Sequence, residues 1–248
     1  MILLHGLVST GDVFGAGFDR IAESNRLVVP DLLGFGRSLD EDRQEFATVD
    51  HLDALDEMAL QADLMDKQWV IGAHSMGSAL ALAWANRHHD RVDRIVCWGA
   101  PIYSSPEVTR SQISGSPMAR LFALDTAIAE RACMISCRHR TLAGWVTAAV
   151  QPNLPLAIAR SVSQQTWRAY RDAMNNLVID TDWNRLLAHL DQNETSVKLI
   201  WGTEDKVGDL DYARSIVQDL AHSTVNTVDG ADHHLPMTHP RLCREHLA

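Results

Sequence analysis

Four cysteines in 248 residues are too few to hold a chain of this length in a disulfide framework. Cys97 falls in an apolar run that reads as a core strand. Cys133 and Cys137 stand four apart in a helical pattern and so share a face. No second Cys/His pair accompanies them, so they are expected to be two buried thiols, not a metal or redox pair, and neither a metal nor an organic cofactor is expected. Long hydrophobic runs are missing as well. No stretch is long enough to span a bilayer. Met1-Ile2-Leu3-Leu4 is too short for the core of a signal peptide and runs straight into His5-Gly6, so the expectation is a soluble, cytoplasmic protein. Basic residues are in deficit, 22 Lys+Arg against 32 Asp+Glu for a net charge of −10. That balance excludes a phosphate-tracking nucleic-acid surface. Internal repeats and low-complexity segments are also absent.

With 46% apolar residues, the chain can build one sizeable core plus an insertion. Ile2–Leu4, Leu27–Val29, Trp69–Ile71, Arg94–Trp98, Val197–Trp201 and Thr224–Val228 read as strands. Most are continuously apolar, as strands buried on both faces of a parallel sheet must be. Helical patterns over Val49–Asp66, Ser78–His88, Thr181–Leu190 and Leu210–Ala221 alternate with them. The fold class that follows is α/β, with a doubly wound, mostly parallel sheet of about six strands.

From Ser104 to about Asn176 the strand–helix rhythm stops. Ser116-Pro117 reads as an N-cap with Pro at the first helical position, Asp125 as a further cap, and Gln151-Pro152-Asn153-Leu154-Pro155 as a turn opening another helix. This segment is expected to be a helical cap inserted between two strands. Residues 1–103 and 178–248 then form the two parts of the core, and 104–177 the cap. Phe122, Met134, Trp145, Trp167 and Tyr170 give the cap apolar bulk, either to roof a pocket or simply to hold itself together.

The residue that carries chemistry is Ser75, in Ile71-Gly72-Ala73-His74-Ser75-Met76-Gly77. An apolar strand, a turn of small residues with Ser at its apex, and an Ala/Leu-rich helix form the context of a nucleophile elbow. A serine hydroxyl is a weak nucleophile and needs a base, which in turn needs an orienting acid. Asp205 follows strand Val197–Trp201, where the carboxyl ends of parallel strands collect such sites. Glu204 and Asp209 compete with it, although Asp209 is better placed to open the next helix. His233 follows the last strand, with His234 adjacent and not separable by spacing. His88 and His89, near a helix C-terminus, read as surface groups favoured by the helix dipole. The backbone N–H of Met76, at a helix start, and that of Leu7, after the first strand, are the expected oxyanion donors.

Five short motifs in order resemble the α/β-hydrolase family over nearly the whole chain. They are His5-Gly6, Asp31-Leu32-Leu33-Gly34-Phe35-Gly36-Arg37-Ser38, His74-Ser75-Met76-Gly77, Gly202-Thr203-Glu204-Asp205 and Gly230-Ala231-Asp232-His233. The resemblance implies a Ser75–His233–Asp205 triad, selects His233 over His234, and makes the Asp31–Ser38 loop mostly structural. Ala73 and Ser78 depart from the family's usual glycines. The chain also starts at the His-Gly strand, without the two strands that family members usually carry ahead of it. By the family's strand order Leu27–Val29 would then be a bare apolar edge, so the expectation is either a true start upstream or an edge paired with a second copy of the chain.

Ser as nucleophile argues against the family's Asp-dependent dehalogenases and epoxide hydrolases. Its carbon–carbon bond hydrolases often show Asn before the Ser and Trp after the His, where this chain has His74 and His234. Its proline-releasing peptidases usually carry Trp where this chain has Met76. The resemblance therefore implies hydrolysis of a small carboxylic ester, thioester or lactone through an acyl-enzyme. The alternatives are carbon–carbon bond hydrolysis and a hydrolase fold that binds a ligand with little turnover.

Overall fold

The computed structural model describes residues 1–115, 126–150, 156–161 and 164–248. Five parallel strands run in the order in which they occur in the chain: β1 (Ile2–Leu4), β2 (Trp69–His74), β3 (Val92–Trp98), β4 (Ser196–Gly202) and β5 (Ser223–Val228). Each pair is parallel, with Ile71 opposite both Ile2 and Ile95. Helices joining the strands are α1 (Thr48–Gln61), α2 (Gly77–Arg87) and, between β4 and β5, α9 (Leu210–Val217).

The pleat sends alternate side chains to opposite faces, and two buried clusters follow from it. Ile2, Leu4, Ile71, Ala73, Ile95 and Cys97 face α1, α2 and the helices that precede β4. Leu3, Val96, Trp98 and Ile200 face the other way, against Phe14, Phe18 and the C-terminal helix α10 (Pro240–Leu247). Both faces are covered, which is why the strands read as unbroken apolar runs. Helix α2 is buried along almost its whole length. Trp84 on α2 stacks on Trp69 at 4.4 Å between ring centroids, and its indole N–H donates to Asp56 on α1 at 2.7 Å.

Two expectations are corrected here. Leu27–Val29 is not a sixth strand: only Val28 bridges to Ile2, with Val28 N–H donating to Met1 O and Leu3 N–H to Val28 O. Arg26 precedes it, Pro30 follows it and ends the amide ladder, so the run is too short to zip along β1. Helix α1 stops at Gln61 rather than continuing to Asp66. Asp63 takes a left-handed conformation (φ 49°), which breaks the helical repeat.

Between β3 and β4 the described residues hold helices and no strand. They are α3 (Pro106–Ser114), α4 (Ala127–Arg138), α5 (Arg140–Val150), α6 (Leu156–Ser161), α7 (Trp167–Ala173), a π-helical turn (Met174–Ile179) and α8 (Trp183–Gln192). Ser116-Pro117, Phe122, Asp125 and the Gln151–Pro155 turn lie outside the described residues. Of the bulky side chains expected in this segment, Trp167 and Tyr170 are buried and stack on each other. Met134 and Trp145 instead point outward, each more than half exposed. Cys133 and Cys137 do share a face of α4, with their sulfurs 3.6 Å apart, but they are half-buried where full burial was expected. No helix among the described residues is long and apolar enough to cross a membrane.

Candidate active site

Ser75 sits between β2 and α2 with φ 53°. A left-handed conformation for a residue bearing a Cβ stores about 1–3 kcal/mol of strain, which the surrounding structure must hold. It is held by the Ser75 N–H, which donates to Trp98 O at 2.9 Å, and by the first turn of α2, where Ser78 N–H donates to Ser75 O. Gly77 is required at this turn, because a Cβ there would lie 2.6 Å from His5 O and 2.7 Å from Leu4 O. Ala73, by contrast, is fully buried in the sheet with its methyl accommodated.

Three side chains from three loops meet above the carboxyl ends of the strands. Ser75 Oγ lies 3.0 Å from His233 Nε2. His233 Nδ1 lies 3.0 and 3.2 Å from the two oxygens of Asp205. The Asp205 side chain is 0% exposed and that of His233 23%. Asp205 Oδ1 also accepts from the Val207 N–H at 2.8 Å, which orients the carboxylate. The competing groups are not part of this row, although His234 also lines the cavity over Ser75. Glu204 is exposed. Asp209 caps α9, accepting from Tyr212 N–H. His234 turns to Asp232 at 3.3 Å. His88 is less of a surface group than expected, since its Nε2 meets Asp56 at 2.7 Å and its ring edge lies against Trp69 and Trp84.

Gly99 was not singled out in the sequence, yet it decides this geometry. It has φ 58°, and a Cβ there would lie 2.8 Å from Asp205 Oδ2 and 2.9 Å from His233 Nδ1. The only sequence signal was a glycine directly after a core strand.

Two buried histidines brace the site. His5 Nε2 accepts from Leu32 N–H at 2.9 Å, so the proton is on Nδ1, which donates to Gly6 O at 2.8 Å. Burial holds its pKa down at about 4, and the neutral ring ties the loop after β1 to the loop after Val29. His74 Nε2 lies 2.7 Å from His233 O, so the proton is on Nε2, and the buried Nδ1 has no partner among the described residues. Burial first, and the neighbouring His233 second, push His74 down to about 3. Asp31 is a scaffold: its carboxylate accepts from Gly11 N–H at 2.7 Å and Arg37 N–H at 2.8 Å.

The amides of Leu7 and Met76 have no acceptor among the described residues. A cavity of about 220 Å³ opens over Ser75, lined by Leu7, Val8, Met237, Thr147 of α5 and Ile158 of α6. A larger cavity of about 690 Å³ lies against α2 and α8, near Asn86, Arg185 and His189. It contains none of the three converging side chains, so the smaller one is where chemistry can occur. Among the described residues no group of three or more His, Cys, Asp or Glu side chains is placed to hold a metal ion.

Residues 1–240 match a family model described as the alpha/beta hydrolase fold. The chain is 24% identical to "Probable lysophospholipase BODYGUARD 4" of Arabidopsis thaliana, over 94% of this chain and 59% of that protein. It is 36% identical to a 2-hydroxymuconate semialdehyde hydrolase of Pseudomonas putida, over 42% of this chain and 37% of that protein. The chain thus spans less than two thirds of the length of these curated relatives. Among solved structures, a thermophilic esterase from Thermogutta terrifontis superposes with a TM-score of 0.71 at 18% identity, covering 98% of this chain and 86% of that one.

Proposed function

The chain belongs to the alpha/beta hydrolase family, and we propose that within it the protein is a serine hydrolase of small carboxylic esters, thioesters or lactones. The observation that carries this reading is the hydrogen-bonded row from Ser75 Oγ through His233 to the buried Asp205, starting at a serine held in a left-handed turn.

In this mechanism Ser75 Oγ attacks the acyl carbon while His233 Nε2 takes its proton. The tetrahedral oxyanion is met by the free amides of Leu7 and Met76. Asp205 fixes the His233 tautomer and balances the imidazolium. His233 then protonates the leaving alcohol, and the acyl group stays on Ser75. Water enters, gives its proton to His233 and attacks the acyl carbon. The acid departs and the proton returns to Ser75 Oγ. The segment 104–177 acts as the cap. The cavity of about 220 Å³ is below the roughly 300–1,000 Å³ of pockets that enclose a drug-sized ligand. It suits a short acyl or alcohol part held around the scissile bond.

One observation favours a second reading. The stretch 36% identical to a 2-hydroxymuconate semialdehyde hydrolase suggests that the same serine could cleave a carbon–carbon bond.

The test is labelling with a fluorophosphonate probe, followed by turnover of nitrophenyl esters of rising chain length. Labelling and turnover are expected, and both are expected to vanish in Ser75→Ala with folding intact. A folded wild-type protein that neither labels nor turns over any ester overturns the reading. Labelling without ester turnover moves the proposal to the carbon–carbon substrate.

A further inference from the structure

Helix α5 lines the Ser75 cavity through Thr147, α4 packs against α5, and the outer faces of both are unusual for a surface helix. A helix that seats one face on a core normally turns a polar face to water. On α5 the inner stripe is the buried Gly144 with Thr147, which reaches the cavity. The outer stripe is Leu142, Trp145 and Val146, spaced i, i+3, i+4, with Leu142 65% and Trp145 55% exposed. On α4 the inner stripe is Ala129, Cys133 and Cys137, and the outer one carries Ile128, Met134 and Ile135. Of the nine large hydrophobic residues exposed among the described residues, seven lie on α4, α5 and α6. The remaining two, Val49 and Leu60, stand apart on α1.

Charge on this face is reversed relative to the molecule. Residues 126–150 carry three arginines (Arg131, Arg138, Arg140) and one glutamate (Glu130), and with Glu41, which pairs with Arg140, the net is +1 in a chain of net −10. Arg131 and Arg138 share the exposed side of α4 with Ile128 and Ile135 at spacings of three and four. Arg140 is engaged with Glu41 and so anchors the start of α5. Contiguous exposed apolar surface marks an interaction site. Apolar side chains with a Trp among them, interleaved with Arg on an otherwise acidic protein, match the apolar boundary and negative headgroups of an anionic lipid layer.

We propose that the outer face of α4 and α5 is a docking surface for an anionic lipid layer, which brings the α5 wall of the Ser75 cavity to the lipid. The apolar stripe enters the acyl boundary, while Arg131 and Arg138 stay at headgroup level. The small cavity then needs to admit only the scissile group of an amphiphile whose tail remains in the lipid. Docking itself does not depend on the chemistry at Ser75.

The experiment is cosedimentation of the whole chain, carrying Ser75→Ala to prevent turnover, with two kinds of vesicle. One kind is phosphatidylcholine alone and the other is phosphatidylcholine mixed with phosphatidylglycerol. Binding to the mixed vesicles is expected. It is expected to fall by about tenfold or more with Leu142→Ser combined with Trp145→Ser. Arg131→Gln combined with Arg138→Gln is expected to erase the preference for the anionic vesicles. These four positions are exposed, so hydrolysis of a water-soluble short-chain ester by the same variants in the Ser75 background is expected to stay unchanged, and thermal melting checks the fold. No binding to either vesicle overturns the proposal, as does equal binding of wild type and the apolar variant. Self-association that the apolar variant abolishes, without vesicle binding, also overturns it and makes the face an interface between copies. Loss of ester hydrolysis in wild type alone would sink the assigned chemistry and leave the docking result standing.

Discussion

His74 Nε2 lies 2.7 Å from the backbone carbonyl oxygen of His233, so the residue next to Ser75 holds the loop that carries His233. The two rings are 4.9 Å apart. With His74 held neutral at a pKa of about 3, no second cation forms beside His233 when it takes a proton. His74 is thus a positioning residue. Replacing it by Ala leaves the His233 carbonyl without its donor, at a cost of about 1–3 kcal/mol. The expected result for His74→Ala is a roughly tenfold to hundredfold fall in kcat with KM little changed. His74→Gln, which can still donate, is expected to recover part of it. Steady-state kinetics of the three proteins check this, and an unchanged kcat in the Ala variant would refute it.

Gly99 predicts a loss of activity without a polar change. In Gly99→Ala the added methyl meets Asp205 and His233 at under 3.0 Å, at a position already in left-handed φ. The His–Asp pair must shift, and displacements on this scale cost about a hundredfold in rate. A kcat/KM within a few-fold of wild type would refute the role given to Gly99.

Ser75 itself stores strain. Glycine takes φ 53° freely, so Ser75→Gly is expected to stabilise the fold by about 1 kcal/mol while abolishing hydrolysis. Denaturant unfolding of the two proteins measures it. A less stable glycine variant would show that the turn is not under load.

His51 is buried, and neither of its ring nitrogens has a partner among the described residues. A neutral imidazole always has one N–H to satisfy, so His51→Leu is expected to raise stability by about 1–2 kcal/mol near neutral pH. An equal loss of stability in chemical denaturation would mean that His51 contributes an interaction of its own.

Acid stability follows from the same group. Burial lowers His5 and His51 to about 4 and His74 to about 3, each from 6.5. Between about pH 4 and 6.5 the unfolded chain binds protons on these residues that the folded chain refuses. Stability therefore rises with pH in that window and is lost as pH falls through it. From pH 7.5 to 5.5 the three together are expected to remove about 3–4 kcal/mol. The His51→Leu variant is expected to lose about a third less. A flat profile by urea melts over this range would contradict the burial of these rings.

The strands and the three converging residues were legible because they rest on local chemistry. Apolar runs such as Ile95–Trp98, bounded by polar residues and a glycine, read as strands covered on both faces. Small residues around Ser75 announce a turn that larger ones would block, as the 2.6 Å approach at Gly77 explains. Asp205 and His233 each follow a strand, and their place in the order of the motifs separated them from Glu204 and His234. Other features depended on contacts between distant parts of the chain. The sequence shows Gly99 as one glycine among 14, and only the approach of two loops from elsewhere in the chain makes its missing Cβ matter. The partners of His5 and His74 are carbonyl and amide groups that carry no side-chain signature. Leu27–Val29 has the composition of a strand but pairs at a single residue, because strand formation also requires a continuous neighbour. By hydrophobicity alone, Trp145 and Met134 suit either the roof of a pocket or the interior of the cap. Which face of a helix meets the core is settled by the helix's rotation in the assembled fold, and that rotation turned them outward.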